Sequence, residues 1–152
     1  MNITEGGLDV PDVIALLGEH LQGMASHSPP ESIHALDVEG LKAADITFWT
    51  LRDGNELLGC IALKQLDEKH GEIKSMRTAK RHLRKGVGAA LLIHVIDEAK
   101  RRSYDWLNLE TGSGPGFEAA HALYRKFGFV ECGPFADYRE DPFSRFMTLE
   151  LR

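Results

Sequence analysis

The stretch from Lys74 to Lys85 constrains this chain more than any other. It holds Lys74, Arg77, Lys80, Arg81, Arg84 and Lys85, six of the eighteen lysines and arginines, together with His82 and no aspartate or glutamate. The chain as a whole has 23 acidic residues and a formal net charge of −5, so this positive charge is gathered against the average. Gathering it is unfavourable by self-repulsion and points to a polyanionic ligand, although a solvated basic loop has the same composition. Directly after it stands Gly86-Val87-Gly88, and then Leu91, Leu92, Val95, Ile96 and Ala99 at helical spacing as far as Arg102. A helix N-terminus presents unpaired backbone N–H groups and the positive end of the macrodipole, which suits phosphate. Glycines there allow close approach of a ligand to the backbone, and Arg84 and Lys85 add charge. Ahead of the basic stretch, Glu72 to Thr78 alternates like a strand.

Two phosphate-binding loops can be compared with this pattern. A P-loop needs Gly-x-x-x-x-Gly-Lys-Ser/Thr, and that string is absent. The dinucleotide fingerprint needs a third glycine where Leu91 stands, and its first glycine follows the strand at once. Here Arg77 to Lys85 intervenes, and Glu72-Ile73-Lys74-Ser75-Met76 is too polar for the central strand of a doubly wound sheet. Glu110 alone fits that fingerprint, as a carboxylate near the end of the next strand.

The remaining pattern describes one domain over residues 1–152. A strand is expected at Asn2–Thr4 and an amphipathic helix at Asp9–Met24, with Pro11 tolerable in its first turn. Ser28-Pro29-Pro30-Glu31 breaks that helix, and a shorter one spans Val38–Ala44. Strands at Ile46–Arg52 and Glu56–Leu66 flank the hairpin turn Asp53-Gly54-Asn55, and Asp67–Gly71 is a polar turn. After the helix Gly86–Arg102 come a strand at Trp106–Glu110, a loop at Gly112–Gly116, a helix at Glu118–Phe127 capped by Gly128, and strands at Phe129–Cys132 and Phe146–Leu151. The fold class is α/β, or α+β with a mixed sheet, in which antiparallel hairpins lead into a β-α-β unit. The chain contains no apolar run long enough to span a membrane, and Met1-Asn2-Ile3-Thr4-Glu5 is not a basic signal segment. Cys60 and Cys132 form no motif and read as structural thiols of a cytoplasmic protein. The acidic balance argues against a nucleic-acid or membrane-surface partner. The seven histidines have no metal-ligand spacing, so no metal is expected.

Leu83-Arg84-Lys85-Gly86-Val87-Gly88-Ala89 resembles the acetyl-CoA motif of the GNAT N-acetyltransferase superfamily, Gln/Arg-x-x-Gly-x-Gly/Ala. Ala122-Leu123-Tyr124-Arg125-Lys126-Phe127-Gly128-Phe129 resembles the family's late helix, which ends in Leu-Tyr-x-x-x-Gly-Phe. Each motif is moderately specific, and the two in this order are a strong signal covering Ile46 to the C-terminus. The string Gly71–Thr78 with His82–Val87 is also similar to a subgroup of small bacterial acetyltransferases.

The resemblance implies the GNAT acyl-CoA N-acyltransferase fold, a central mostly antiparallel sheet flanked by helices, and direct acetyl transfer from acetyl-CoA to an amine. It places Met76, Arg77 and Thr78 along the pantetheine arm and Arg84, Lys85, Gly86, Val87, Gly88 and Ala89 around the pyrophosphate. It makes Tyr124 the acid that protonates the departing thiolate and Glu72 the general base, with Glu110 or a relayed water as alternatives. Read without the resemblance, Tyr124 is a core tyrosine and Glu72 a strand-edge carboxylate paired with Lys74 or Lys69. Leu83 departs from the motif's first position, and Phe117 stands where many relatives carry an asparagine. The acceptor side would be framed by Met24–Leu36 and Phe135–Ser144, where Asp137, Glu140 and Asp141 suit a cationic amine and Arg139 and Arg145 suit a carboxylate. A small-molecule amine or free amino acid is the expected acceptor, and a homodimer is left open. A GNAT-fold protein that binds acyl-CoA without turnover is the rival reading, and a nucleotide-binding α/β protein a more distant one.

Overall fold

The computed structural model describes residues 1–30 and 36–152, apart from side-chain detail at positions 20, 23, 24, 26 and 27. Seven strands form one sheet in the order β1-β2-β3-β4-β5-β7-β6: β1 Asn2–Glu5, β2 Ile46–Asp53, β3 Glu56–Gln65, β4 His70–Thr78, β5 Trp106–Gly112, β6 Val130–Cys132 and β7 Ser144–Glu150. All neighbours are antiparallel except β4 and β5, which run parallel because helix α3, Val87–Arg101, crosses between them. The helices α1 Pro11–His27, α2 Val38–Leu41 and α4 Glu118–Lys126 complete the fold.

The sheet separates two cores. Against α3 and α4 lie Leu51, Ile61, Leu63, Ile73, Leu107, Leu109 and Met147. The α3 stripe contributes Val87, Leu91, Leu92, Val95, Ile96 and Ala99, all buried. Its larger side chains each stabilise the fold by about 1.5–3 kcal/mol through removal from water. On the opposite face Val13, Leu16 and Leu17 of α1 pack on Phe48, Cys60 and Ala62, with Leu41 of α2. The loop from Gly133 to Phe143 folds over the β5-β7-β6 part of that second face, where Phe135, Tyr138 and Phe146 meet ring to ring with centroids 5.1 to 5.9 Å apart.

Two boundaries differ from the sequence reading in ways that shape the site. β5 extends to Gly112, where the sequence predicts the start of a loop; hydrogen bonding to β7 carries the strand on, with Gly112 opposite Ser144. The basic approach also contains one 3₁₀ turn, Lys80–His82, because the His82 N–H closes on the Ala79 carbonyl before the helix begins.

Candidate active site

A split in the sheet is the central feature. β4 and β5 pair only from His70↔Trp106 to Ile73↔Leu109; beyond that the strands part, and β5 continues against β7 alone. A bulge drives the divergence. Cys60↔Arg77 is followed by Ala62↔Lys74, so β4 carries one extra residue, and Ser75 adopts φ 53°. From Lys74 to Thr78 the edge of β4 that faces β5 therefore has no strand partner among the described residues, and Met76, Arg77 and Thr78 all lie along it.

The basic segment meets the far end of this edge. Gly86 caps α3 in the left-handed region, φ 81°, with open space where a side chain would be, and Arg84 is also left-handed at φ 64°. Gly88 is different. A Cβ there would lie 3.1 Å from Leu123 Cδ2 on α4, so this glycine admits the neighbouring helix more than a ligand. Of the basic side chains, Arg81 donates to Glu56 at 2.5 Å, His82 lies 3.2 Å from the same carboxylate, and Lys85 lies 3.1 Å from His82. Among the described residues, Lys80 and Arg84 have no hydrogen-bond or ion-pair partner. The Arg77 Nε is buried without a partner among those residues as well. Unpartnered cations, a helix start with no side-chain cap and an unpaired strand edge in one line are what an acyl-CoA requires: charge for its phosphates and backbone amides for its pantetheine arm.

Tyr124 approaches the split from the α4 side. Its ring packs 5.8 Å from that of Phe129, it is 7% exposed, and its hydroxyl makes no hydrogen bond among the described residues. Burial, reinforced by the charge of Glu110, raises the phenol above its ordinary range, so it remains protonated. His121 fixes α4 here: its Nε2 donates to the Gly112 carbonyl at 2.8 Å and its Nδ1 accepts from Arg145 at 3.1 Å. Burial and Arg145 keep this imidazole neutral, which matches that tautomer.

Glu72 and Glu110 lie on the opposite face, beneath the 133–143 loop. Glu72 is 2% exposed; its carboxylate accepts from the Tyr138 hydroxyl at 2.5 Å and from Lys74 at 3.3 Å. Glu110 is the first β5 residue past the last β4 pair. Burial lifts its carboxyl to about 7, with Ser144 and Lys74 pulling down and Glu72 and Asp141 pushing up. The two catalytic candidates of the sequence reading, Tyr124 and Glu72, thus stand on opposite faces of the sheet, with Glu110 at the opening between them.

The same face holds a cavity of about 620 Å³ floored by His70, Trp106, Asn108 and Thr148, and a second of about 420 Å³ against Glu72 and residues 136–141. Lys64, Ala136 and Asp137 line both. Residues 135–141 of the segment expected to frame an acceptor line these cavities, whereas the other such segment, Met24–Leu36, includes residues 31–35, which lie outside the described residues. Phe117 packs over Gly112, where any Cβ would fall 2.2 Å from its ring. Among the described residues no cluster of His, Cys, Asp and Glu could hold a metal ion, and no helix is long and apolar enough to cross a membrane. Burial pushes the Cys60 thiol up to about 12, so it is no nucleophile. Sequence reasoning did not single out Tyr138, which meets Glu72 only through the folding of a loop 66 residues away.

The sequence profile of the Acetyltransferase (GNAT) family matches residues 13–129. The chain is 56% identical over 151 residues to the uncharacterised N-acetyltransferase YsnE of Bacillus subtilis (strain 168), covering 99% of this chain and 100% of that protein. The fold is shared with an acetyltransferase of the GNAT family from Staphylococcus aureus Mu50, TM-score 0.73, 23% identity, 99% of each chain. It is also shared with a GNAT family acetyltransferase of Elizabethkingia anophelis with acetyl-CoA bound, TM-score 0.68, 21% identity, covering 98% of this chain and 97% of that one.

Proposed function

The chain belongs to the GNAT acetyltransferase family, and from that premise we propose that it moves the acetyl group of acetyl-CoA directly onto the amine of a small molecule or free amino acid held beneath the 133–143 loop. The observation that carries this reading is the split between β4 and β5, with cations at one end and acid–base groups on either side. Arg84, Lys80 and the N–H groups of Gly86 to Ala89 hold the pyrophosphate, with Lys85 alongside, while the free edge of β4 at Met76, Arg77 and Thr78 pairs with the pantetheine amides. Acetyl-CoA supplies the acetyl group as a thioester.

An ammonium is no nucleophile until it loses a proton. Glu110 is the better proton acceptor of the two carboxylates. It stands at the opening and titrates near neutrality, whereas the Glu72 carboxylate is occupied by Tyr138 and Lys74. Tyr124, buried and protonated on the cofactor side, returns a proton to the thioester sulfur as the carbon–sulfur bond breaks and the carbon–nitrogen bond forms. The whole of residues 1–152 acts as one N-acetyltransferase domain, and its unpaired thiols suit a cytoplasmic setting.

Calorimetric titration with acetyl-CoA, then a screen of amines and amino acids for release of free thiol, tests the reading. Binding and acceptor-dependent thiol release are expected. Tyr124→Phe should lower turnover about 10- to 100-fold with cofactor affinity retained. Failure to bind acetyl-CoA would sink the proposal, and tight binding without turnover on any amine would favour a module that senses acyl-CoA.

A further inference from the structure

Lys74 is an ammonium with only 8% of its side chain exposed, on a sheet face where an uncharged residue of similar length would pack at least as well. Its Nζ donates to the Tyr138 hydroxyl at 2.9 Å and to Glu72 at 3.3 Å, and lies 5.6 Å from the centre of the Tyr138 ring. Tyr138 in turn donates to Glu72 at 2.5 Å, and its ring is held by Phe135 and Phe146. The three groups form a closed set that fixes the ammonium from the loop above and the strand below.

Its position is set by the ladder. Glu72 pairs with Asn108 and Ile73 with Leu109; the next positions, where pairing stops, are Lys74 and Glu110. Both side chains lie on the face of Glu72, across the opening from each other. We propose that Lys74 is a positioning residue: clamped by Tyr138 and Glu72, its ammonium faces Glu110 and governs how that carboxylate takes and releases the acceptor's proton. The inference rests on Glu110 as the proton acceptor. The groups that act on Glu110 are Lys74 and Glu72 from β4, Asp141 from the loop and Ser144 at the start of β7. Tyr124 of α4 and Tyr138 of the loop face it as well. Lys74 is the one cation in this set. Without it, burial and two carboxylates act on Glu110 unopposed but for the Ser144 hydroxyl.

Carbon-13 NMR of glutamate side-chain carboxyls reads this directly, with the Glu110 signal identified by its loss in Glu110→Gln. Lys74→Met should move the Glu110 midpoint upward by about one pH unit or more. Lys74→Arg should leave it within about half a unit of the parent protein, because the charge stays in place. Tyr138→Phe, which removes one of the two tethers, should give a smaller upward shift. An unchanged midpoint in Lys74→Met, or an equal shift in Lys74→Arg, would overturn the proposal. If Lys74→Met does not fold, Tyr138→Phe decides by the same signal, and an unshifted midpoint there overturns it. Calorimetry with acetyl-CoA on the same proteins separates the two readings: loss of binding in the parent protein defeats acetyl transfer, while the Glu110 midpoints judge Lys74 independently.

Discussion

At the residue scale, Glu110 shows how a functional carboxyl is opposed by its own surroundings. Burial lifts it from an ordinary 4.5 to about 7, so the folded chain holds a proton that the unfolded chain has already released. Below about pH 4.5 the group is neutral in both states, and as pH rises towards 7 folding becomes less favourable, by on the order of 3 kcal/mol at most. Glu110→Gln should therefore unfold at a higher temperature than the parent protein at pH 8 while losing turnover about 100-fold or more. A thermal melt and a thiol-release assay on one preparation would show both, and a variant that is less stable at pH 8 would contradict the burial of a charge here. The parent enzyme's kcat/KM should fall as pH drops below about 7, since Glu110 must be ionised to accept a proton.

At the scale of elements, the first turn of α3 sits on glycines with distinct duties. A Cβ on Gly59 of β3 would fall 2.6 Å from the Arg77 carbonyl and 2.8 Å from Val87 Cγ1, so that glycine lets the helix start rest directly on the sheet. Gly59→Ala should push α3 from β4, costing about 1–3 kcal/mol in denaturant unfolding and weakening acetyl-CoA binding in parallel. Gly86 has open space around it but a left-handed backbone. Gly86→Val should cost on the order of 1–3 kcal/mol in backbone strain and remove most cofactor affinity, since its side chain would project into the proposed phosphate position. Equal affinity in Gly86→Val would place the phosphates elsewhere.

For the whole molecule, the sheet consists of β1 to β4 and β5 to β7, joined at four residue pairs and by the shared core under α3 and α4, where Ile61, Leu63 and Ile73 of one part cluster with Leu107, Leu109 and Met147 of the other. That seam is where a ligand can add main-chain pairing. Hydrogen exchange should therefore slow most, on addition of acetyl-CoA, at Ser75–Thr78 and at the start of α3, with little change in β1, β2 or β6. Uniform slowing over the sheet would mean that the ligand stabilises the fold without occupying the split.

The sequence by itself determined the order and kind of nearly every element, because apolar periodicity, turn residues and glycine caps are local signals. It also carried the basic Gly-x-Gly helix start and the Leu-Tyr-x-x-x-Gly-Phe helix, whose meaning depends on residues within a few positions of each other. Only the tertiary structure decided the relation between Glu72 and Glu110. Both are glutamates on neighbouring strands, and the family resemblance assigns the base role to Glu72 by its spacing from Gly86. The fold buries Glu72 against Tyr138 and Lys74 and leaves Glu110 at the opening. The same holds for the two glycines, alike in the motif, of which Gly86 faces open space and Gly88 faces Leu123. Burial and cross-strand register set charge, access and proton affinity, and both arise from contacts between residues far apart in the chain.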